Sequence, residues 1–433
     1  MVVAKYGGTS MAKPEVVAEI VQANPNQKII VCSAPGKSDT EKRKMTDLLI
    51  DLVRLKKKNQ PTETKLDEIV KRFEQITDGL SADFREDFLK NLRNDLDENN
   101  DRNFIVSRGE YYSALAFAKR INYEFVDAKD IFYFHDADEI DRELTKKNIE
   151  SQSLGKRNVV IPGFYGANSD GEIFLFSRGG SDRSGAIIAA SLNADYENWT
   201  DVDGILSGDP EAVASPKVLS ELTYEEVREG AHGGTGVLMG DSILDLEYGK
   251  GDVILLNTFN PECAGTRIKK SRNFDKDQPV VALSARDDLL ALTIHDLGMR
   301  DSKGYLVKIL NILAQNNISI EHMPTAQDSI TITFHNDDDL NLDELKSKFD
   351  GIAVSPSATC DISECGVVYL VGESLRLPES QHKVMIEALQ ELEGHKIHVW
   401  AIVAHPDSPS VAVIIDKSDV KKAEQTLHDS LIN

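Results

Sequence analysis

Two glycine-rich turns, each carrying a charged side chain, are the residues of this chain best suited to chemistry. Lys5-Tyr6-Gly7-Gly8-Thr9-Ser10 follows an apolar run and precedes a helical pattern with Pro14 in its early turn. Backbone N–H groups at such a strand-to-helix turn converge on an anion, and Lys5 adds a mobile positive charge for oxygens in transfer. The GxxxxGK[ST] spacing of a P-loop is absent, and a Gly-Gly turn alone is more often simply a turn. The second element is Ser177-Arg178-Gly179-Gly180-Ser181-Asp182, between the apolar run 173–176 and a small-residue helical stretch, 186–192. Arg178 offers a bidentate fork for a carboxylate, and Asp182 an acceptor for Lys5 or a substrate amine. The competing structural reading is a capped helix start.

Two further segments add to these. Ser107-Arg108-Gly109-Glu110 precedes a helix holding Ser113 and Ala114, and Trp199-Thr200-Asp201-Val202-Asp203-Gly204 ends a strand. A buried glutamate suits a substrate ammonium, and Thr-Asp at a strand end suits nucleotide contact, although either can be local capping. Phosphoryl transfer asks little covalent work of a protein. Positioning and positive charge suffice, so these parts are adequate in kind.

The elements that must position them are those of a multidomain α/β chain. The length of 433 residues predicts two or three domains. With 72 acidic against 49 basic residues, the net charge of −23 argues against nucleic acid and anionic membrane as partners. Cys32, Cys263, Cys360 and Cys365 make neither a disulfide framework nor a zinc site, and no metal motif is visible. No signal peptide or spanning stretch is apparent, so the expected location is cytoplasmic. Strand-like runs at 2–6, 28–32, 124–127, 158–161, 196–200 and 253–257 alternate with helical patterns, the signature of a mainly parallel sheet flanked by helices. Between about 38 and 104 the pattern turns helical, with Leu48, Leu49, Leu52 and Leu55 on one stripe. A polar linker at 269–278 leads to a tail in which strand, helix, strand, strand, helix occurs twice, from Leu290 and from Val367. Domains are expected at 1–280, 281–362 and 363–433.

In this order, the segments resemble the aspartate kinases of the amino acid kinase family over nearly the whole chain. The family's Lys-Phe-Gly-Gly-Thr-Ser is similar to Lys5–Ser10 with Tyr6 for Phe, and its Ser-Ala turn to Ser33-Ala34. Gly109–Ser113, Arg178–Asp182, Trp199-Thr200-Asp201-Val202 and Asn257-Thr258-Phe259-Asn260-Pro261 also match. The resemblance implies transfer of the terminal phosphoryl group of ATP, with Mg²⁺, to the side-chain carboxylate of L-aspartate, the first step of lysine, threonine and methionine biosynthesis. It implies that Lys5 and Asp182 assist transfer, that Ser33, Thr46, Glu110, Phe164, Arg178 and Ser181 hold aspartate, and that Gly7, Gly8, Thr200 and Asp201 face ATP. The tail resembles tandem ACT domains, ferredoxin-like βαββα modules that sense amino acids. Met299, Ser302, Tyr305, Leu306, Ser319, Ile320 and Glu321 match effector positions, with lysine or threonine the implied effector and a homodimer or larger assembly the implied state.

The chain departs from the family's pattern in places. Leu206 replaces a tyrosine, and Glu211 stands where arginine follows Asp-Pro. Gly236 stands where a nucleotide-facing lysine belongs, and Gln327 where lysine-sensing relatives carry an acid. Losing two cations from the phosphate clamp motivates an alternative expectation, a catalytically weakened homologue acting as an amino-acid-sensing subunit. A kinase of the same fold for another acceptor, such as glutamate or a nucleoside monophosphate, is disfavoured by the complete aspartate-side residues.

Overall fold

The computed structural model describes residues 1–432 apart from 39, 137–138, 178, 233–239 and 337–339. Arg178 and Gly236 therefore lie outside the described residues. The chain forms two compact units. One is built from Met1–Ile205, Val218–Val227 and the described part of Gly236–Arg272; the other takes Leu206–Lys217, the described part of Arg228–Thr235, and the chain from Asn273.

The first unit is organised by an eight-stranded sheet in the order Glu221–Thr223, Thr266–Lys269, Val253–Asn257, Asp195–Thr200, Val2–Tyr6, Gln27–Cys32, Val159–Pro162, Glu124–Phe125. The last six are mutually parallel, and Thr266–Lys269 runs antiparallel to Val253–Asn257. The central strands read as largely apolar runs, with Lys5 and Asn198 as polar interruptions, which is why most were legible in sequence. Tyr6, the residue departing from the family's Phe, is fully buried; it donates to Gln27 Oε1 at 2.9 Å and stacks on Trp199 at 5.7 Å. The extra hydroxyl is thus satisfied rather than stranded.

The charged stretch after residue 38 folds as the expected helical flank: Met45–Lys57, Glu63–Ile76, Ala82–Glu98 and Arg102–Ile121. Leu48, Leu49 and Leu52 enter a core with Ile69, Phe73, Phe88 and Leu92, while Leu55 is only half-buried. Each fully buried aliphatic or aromatic side chain contributes roughly 1.5–3 kcal/mol. Asp101 caps the last of these helices by accepting from Phe104 N–H at 2.7 Å, so it begins well before Ser107. Arg108, Gly109 and Glu110 therefore sit inside the helix rather than ahead of it.

In the second unit one antiparallel six-stranded sheet runs Ile320–His322, Ser329–His335, Ala282–His295, Thr359–Val371, Ser410–Asp416, Val399–Ala404. The two repeats are present, each as strand, helix, strand, strand, helix, with helices Tyr305–Gln315 and Leu342–Asp350 in one and Pro378–Gly394 and Val420–Leu431 in the other. The long strands are shared: 289–295 pairs with 359–365 on the first repeat's side, and 282–286 pairs with 367–371 on the second's. The ladder breaks between Arg286 and Leu289, and Gly366 lies opposite, where a side chain would collide with Val420. Both repeat-opening helices end in the same left-handed turn, at Asn317 (φ +56°) and Lys396 (φ +59°). Ile318 N–H then bonds Leu313 O, and Ile397 N–H bonds Leu392 O. The β-branched runs Ile318-Ser319-Ile320 and Ile397-His398-Val399 predict strands directly after these helices, and the turns delay them to Ile320 and Val399.

Candidate active site and regulatory cavity

The site forms beyond the carboxyl ends of the central strands, where open parallel sheets bind ligands. Hydrogen bonds continue from strand to strand past their ends: Gly7 N–H to Trp199 O at 2.9 Å, Ser33 N–H to Tyr6 O at 3.2 Å, Gly163 N–H to Cys32 O at 2.9 Å. A cavity of about 560 Å³ results, lined by Lys5, Gly8, Ser33, Thr46, Glu110, Phe164, Ser181, Asp182 and Asp201, among others. Segments scattered from residue 5 to residue 201 thereby meet in one place.

Lys5 projects from the opening strand toward Asp182 in the first turn of the helix Gly180–Leu192, with Nζ 2.6 Å from Oδ1. Asn198, fully buried, holds both: it accepts from Lys5 Nζ at 3.2 Å and donates to Asp182 Oδ1 at 3.1 Å. The N-cap of that helix is Gly179, at φ +63°, and no side chain caps it. Asp182 thus spends its carboxylate on Lys5 and Asn198, and the capping reading falls away. Asn198 escaped the sequence reading. Its signal was an amide side chain inside the strand-like run 196–200 beside Trp199, a place where burial demands a polar partner.

Glu110 is buried, accepts the Ala34 N–H, and leaves Oε2 without a partner among the described residues. Burial pushes its carboxyl up to about 8, the Ala34 contact opposing only part of that. An orphaned buried acceptor lining a cavity is suited to an ammonium group. Gly109 allows this approach, because a Cβ there would lie 2.9 Å from Ala34 Cβ. Phe164 holds φ +77°, an uncommon backbone for an aromatic residue, with its N–H on Ser184 Oγ at 3.0 Å. Gly163 is required beside it, since a Cβ would sit 2.7 Å from Ser181 Cα.

Of the residues expected to face the nucleotide, Gly8 and Asp201 line the cavity, whereas Gly7 and Thr200 do not. Thr200 donates to Asp201 Oδ1 at 3.1 Å. Lys37 and Lys44 also line the cavity, and no motif in the sequence singled them out. No cluster of three or more potential metal ligands occurs among the described residues. Among the described residues, Asp182 and Asp201 are the aspartates lining the cavity, a donor set that fits a Mg²⁺ carried largely by phosphate and water oxygens.

Comparison with known proteins fixes the family. A sequence model described as "Amino acid kinase family" matches residues 1–257. Aspartokinase 3 of Bacillus subtilis is 31% identical over 353 residues, covering 77% of each chain. The chain belongs to the amino acid kinase family, among the aspartokinases. The aspartate kinase of Clostridium acetobutylicum matches in structure over 100% of both chains, with a TM-score of 0.89 and 28% identity. Escherichia coli aspartokinase III, solved in complex with aspartate and ADP, matches over 100% of both with a TM-score of 0.81 and 25% identity. The same E. coli enzyme in complex with lysine and aspartate gives a TM-score of 0.79 at 25% identity, again over 100% of both chains.

In this aspartokinase-family chain, four of the seven expected effector residues, Met299, Ser302, Tyr305 and Leu306, line a second cavity of about 740 Å³ within the second unit. Buried Asp296 organises its loop by accepting from Gly298, Val354 and Ser355 N–H groups and from the Tyr305 hydroxyl at 2.9 Å. The other three lie outside that lining: Ser319 precedes the edge strand that carries Ile320 and Glu321, and Glu321 faces His335 Nε2 at 3.0 Å. Gln327, Arg300 and Lys303 also line the cavity.

Proposed function

We propose that this chain is a working aspartate kinase, converting ATP and L-aspartate to ADP and 4-phospho-L-aspartate. The observation that carries the reading is the Lys5–Asn198–Asp182 constellation sharing one cavity with Glu110, whose Oε2 has no partner among the described residues. Glu110 receives the aspartate ammonium, and Arg178 takes a carboxylate, with Ser33, Thr46, Phe164 and Ser181 shaping the acceptor pocket. The acceptor carboxylate is already ionised, so no base is needed. Its oxygen forms the new bond to the γ-phosphorus as the bond to the ADP oxygen breaks, and no proton moves. Lys5 balances charge on the transferring oxygens, while Asp182 and Asn198 hold its ammonium in place. Gly7, Gly8, Thr200 and Asp201 face the nucleotide, whose Mg²⁺ neutralises phosphate charge when bound.

The intact Lys5–Asp182 pair favours the working enzyme over the regulatory-subunit alternative. We assign catalysis to residues 1–280 and sensing to two modules, 281–362 and 363–433, the sharing of long strands notwithstanding. The cavity around Met299 and Tyr305 is read as the site for an amino-acid effector, lysine or threonine, that feeds back on the reaction. Exposed Leu306, Val307, Leu310 and Ile320 support a homodimer or larger assembly. Four free thiols, and the absence among the described residues of any helix long and apolar enough to cross a membrane, support a cytoplasmic location. Incubating the purified chain with Mg-ATP and aspartate and trapping acyl phosphate as hydroxamate tests the reading. Product well above that of Lys5→Ala is expected, and product no greater than that variant's would overturn it.

A further inference from the structure

The charges of the catalytic cavity do not balance an incoming polyphosphate by Lys5 alone. Lys5 is neutralised by Asp182 at 2.6 Å, and Glu110 and Asp201 add acids to the lining. The described lining offers two further cations, Lys37 and Lys44. Neither ammonium has an ion pair or hydrogen bond among the described residues, and both are solvent-exposed at the cavity.

Their placement is built rather than incidental. Arg72, 4% exposed in the helix Glu63–Ile76, donates to the carbonyls of Gly36 and Arg43. These are the residues immediately before Lys37 and Lys44. Met45 N–H closes the same loop on Pro35 O at 3.0 Å, and Gly36 N–H bonds Gly8 O at 2.6 Å. A Cβ on Gly36 would lie 2.5 Å from Gly8 C, so the loop rests directly on the Gly7-Gly8 turn. One buried guanidinium thus staples both ends of a loop and sets two lysines at the mouth of the cavity that holds Lys5.

Resting on the aspartate kinase reading, we propose that Lys37 and Lys44 are substrate-contacting cations that hold the terminal phosphates of the nucleotide, and that Arg72 is their positioning residue. Ammonium groups on flexible stems act as point charges toward phosphate oxygens, a role that Lys5 and its carboxylate partner leave open. The acceptor carboxylate shares this anionic chemistry, and the two are told apart kinetically.

The test compares the full chain with Lys37→Ala, Lys44→Ala and the double variant, by Mg-ATP titration calorimetry and by steady-state hydroxamate kinetics. The double variant is expected to weaken Mg-ATP binding and kcat/KM for ATP about tenfold or more, leave KM for aspartate within about twofold, and lose part of the parent's salt sensitivity. Arg72→Lys should shift the ATP terms in the same direction and add less than its own effect when combined with the double variant. Mg-ATP affinity and kcat/KM within about twofold of the parent would overturn the proposal, as would a rise confined to KM for aspartate. A parent chain that binds Mg-ATP yet makes no hydroxamate would remove the aspartate kinase reading, while the calorimetric comparison still decides the lysines.

Discussion

Lys5 and Asp182 face each other at 2.6 Å across the carboxyl end of the sheet, and buried Asn198 bonds both. The geometry makes Lys5 a fixed rather than a searching cation. Lys5→Ala should lower kcat by on the order of 10²–10³ with little change in thermal midpoint. Asn198→Leu should lower kcat by a smaller factor, about tenfold, because the ion pair survives without its tether. Hydroxamate assays alongside thermal melts separate the two effects.

Glu110 carries the second prediction. Burial raises its carboxyl to about 8, so below that pH the empty site holds a neutral acid. Binding an ammonium requires the charged form, and a proton must leave. KM for aspartate should therefore fall as pH rises from about 6.5 toward 8, while Glu110→Gln should bind aspartate weakly with a flat profile. A parent profile as flat as the variant's would remove Glu110 from acceptor binding.

Gly36 and Gly394 make a matched pair for packing. A methyl on Gly36 meets the backbone of Gly8 and Thr9 at 2.5 and 2.6 Å, which no side-chain rotation relieves. Gly36→Ala should cost roughly 1–3 kcal/mol of stability and reduce kcat/KM for ATP. Nothing lies within 4 Å of a Cβ on Gly394, in the helix Pro378–Gly394, so Gly394→Ala should leave activity intact and stabilise by up to about 1 kcal/mol. Chemical denaturation measures both.

Within the second unit, Ser207 Oγ lies 2.8 Å from His428 Nε2, and Glu424 accepts the Asp209 N–H at 2.9 Å. Burial raises Glu424 from 4.5 to about 7 and lowers His428 below 6.5. Glu424 keeps a proton that the unfolded chain releases, so its contribution is full below 4.5 and is lost as pH rises through about 7. His428 is opposite: its contribution is present above 6.5 and is lost as pH falls. Glu424→Gln removes the first and leaves the second. Acidification from pH 7 to 5.5 should then lower the variant's melting midpoint by about 2–4 °C more than the parent's.

The cavity around Met299 and Tyr305, proposed for the effector, has Arg300 and Lys303 in its lining and no acidic residue there among the described residues. A lysine side chain entering it would lack a carboxylate partner at Gln327. Gln327→Glu should lower the lysine concentration for half-inhibition by about tenfold, a charged hydrogen bond contributing roughly 1.5–3 kcal/mol. Threonine inhibition should change little, and lysine titration of both proteins decides it.

Much of this was legible in the sequence because local rules govern it. Buried parallel strands are largely apolar, so their positions at Val2–Tyr6 and Val253–Asn257 coincide with the expected runs, Lys5 and Asn257 being the polar residues within them. The two βαββα repeats followed from periodicity, and the glycine turns from their bracketing by a strand and a helix. Boundaries slipped where a capping or left-handed residue intervened, as at Asp101, Asn317 and Lys396.

The sequence by itself therefore determined the elements, the family and the charged residues of the two glycine-rich turns. Those properties reside in side-chain type and near-neighbour spacing. Only the tertiary structure decided which distant groups share a charge. It set Asn198 between Lys5 and Asp182, left Glu110 Oε2 buried without a partner, and used Arg72 to present Lys37 and Lys44. Desolvation and hydrogen-bond geometry depend on what packs against a residue in space, and no spacing along the chain encodes that.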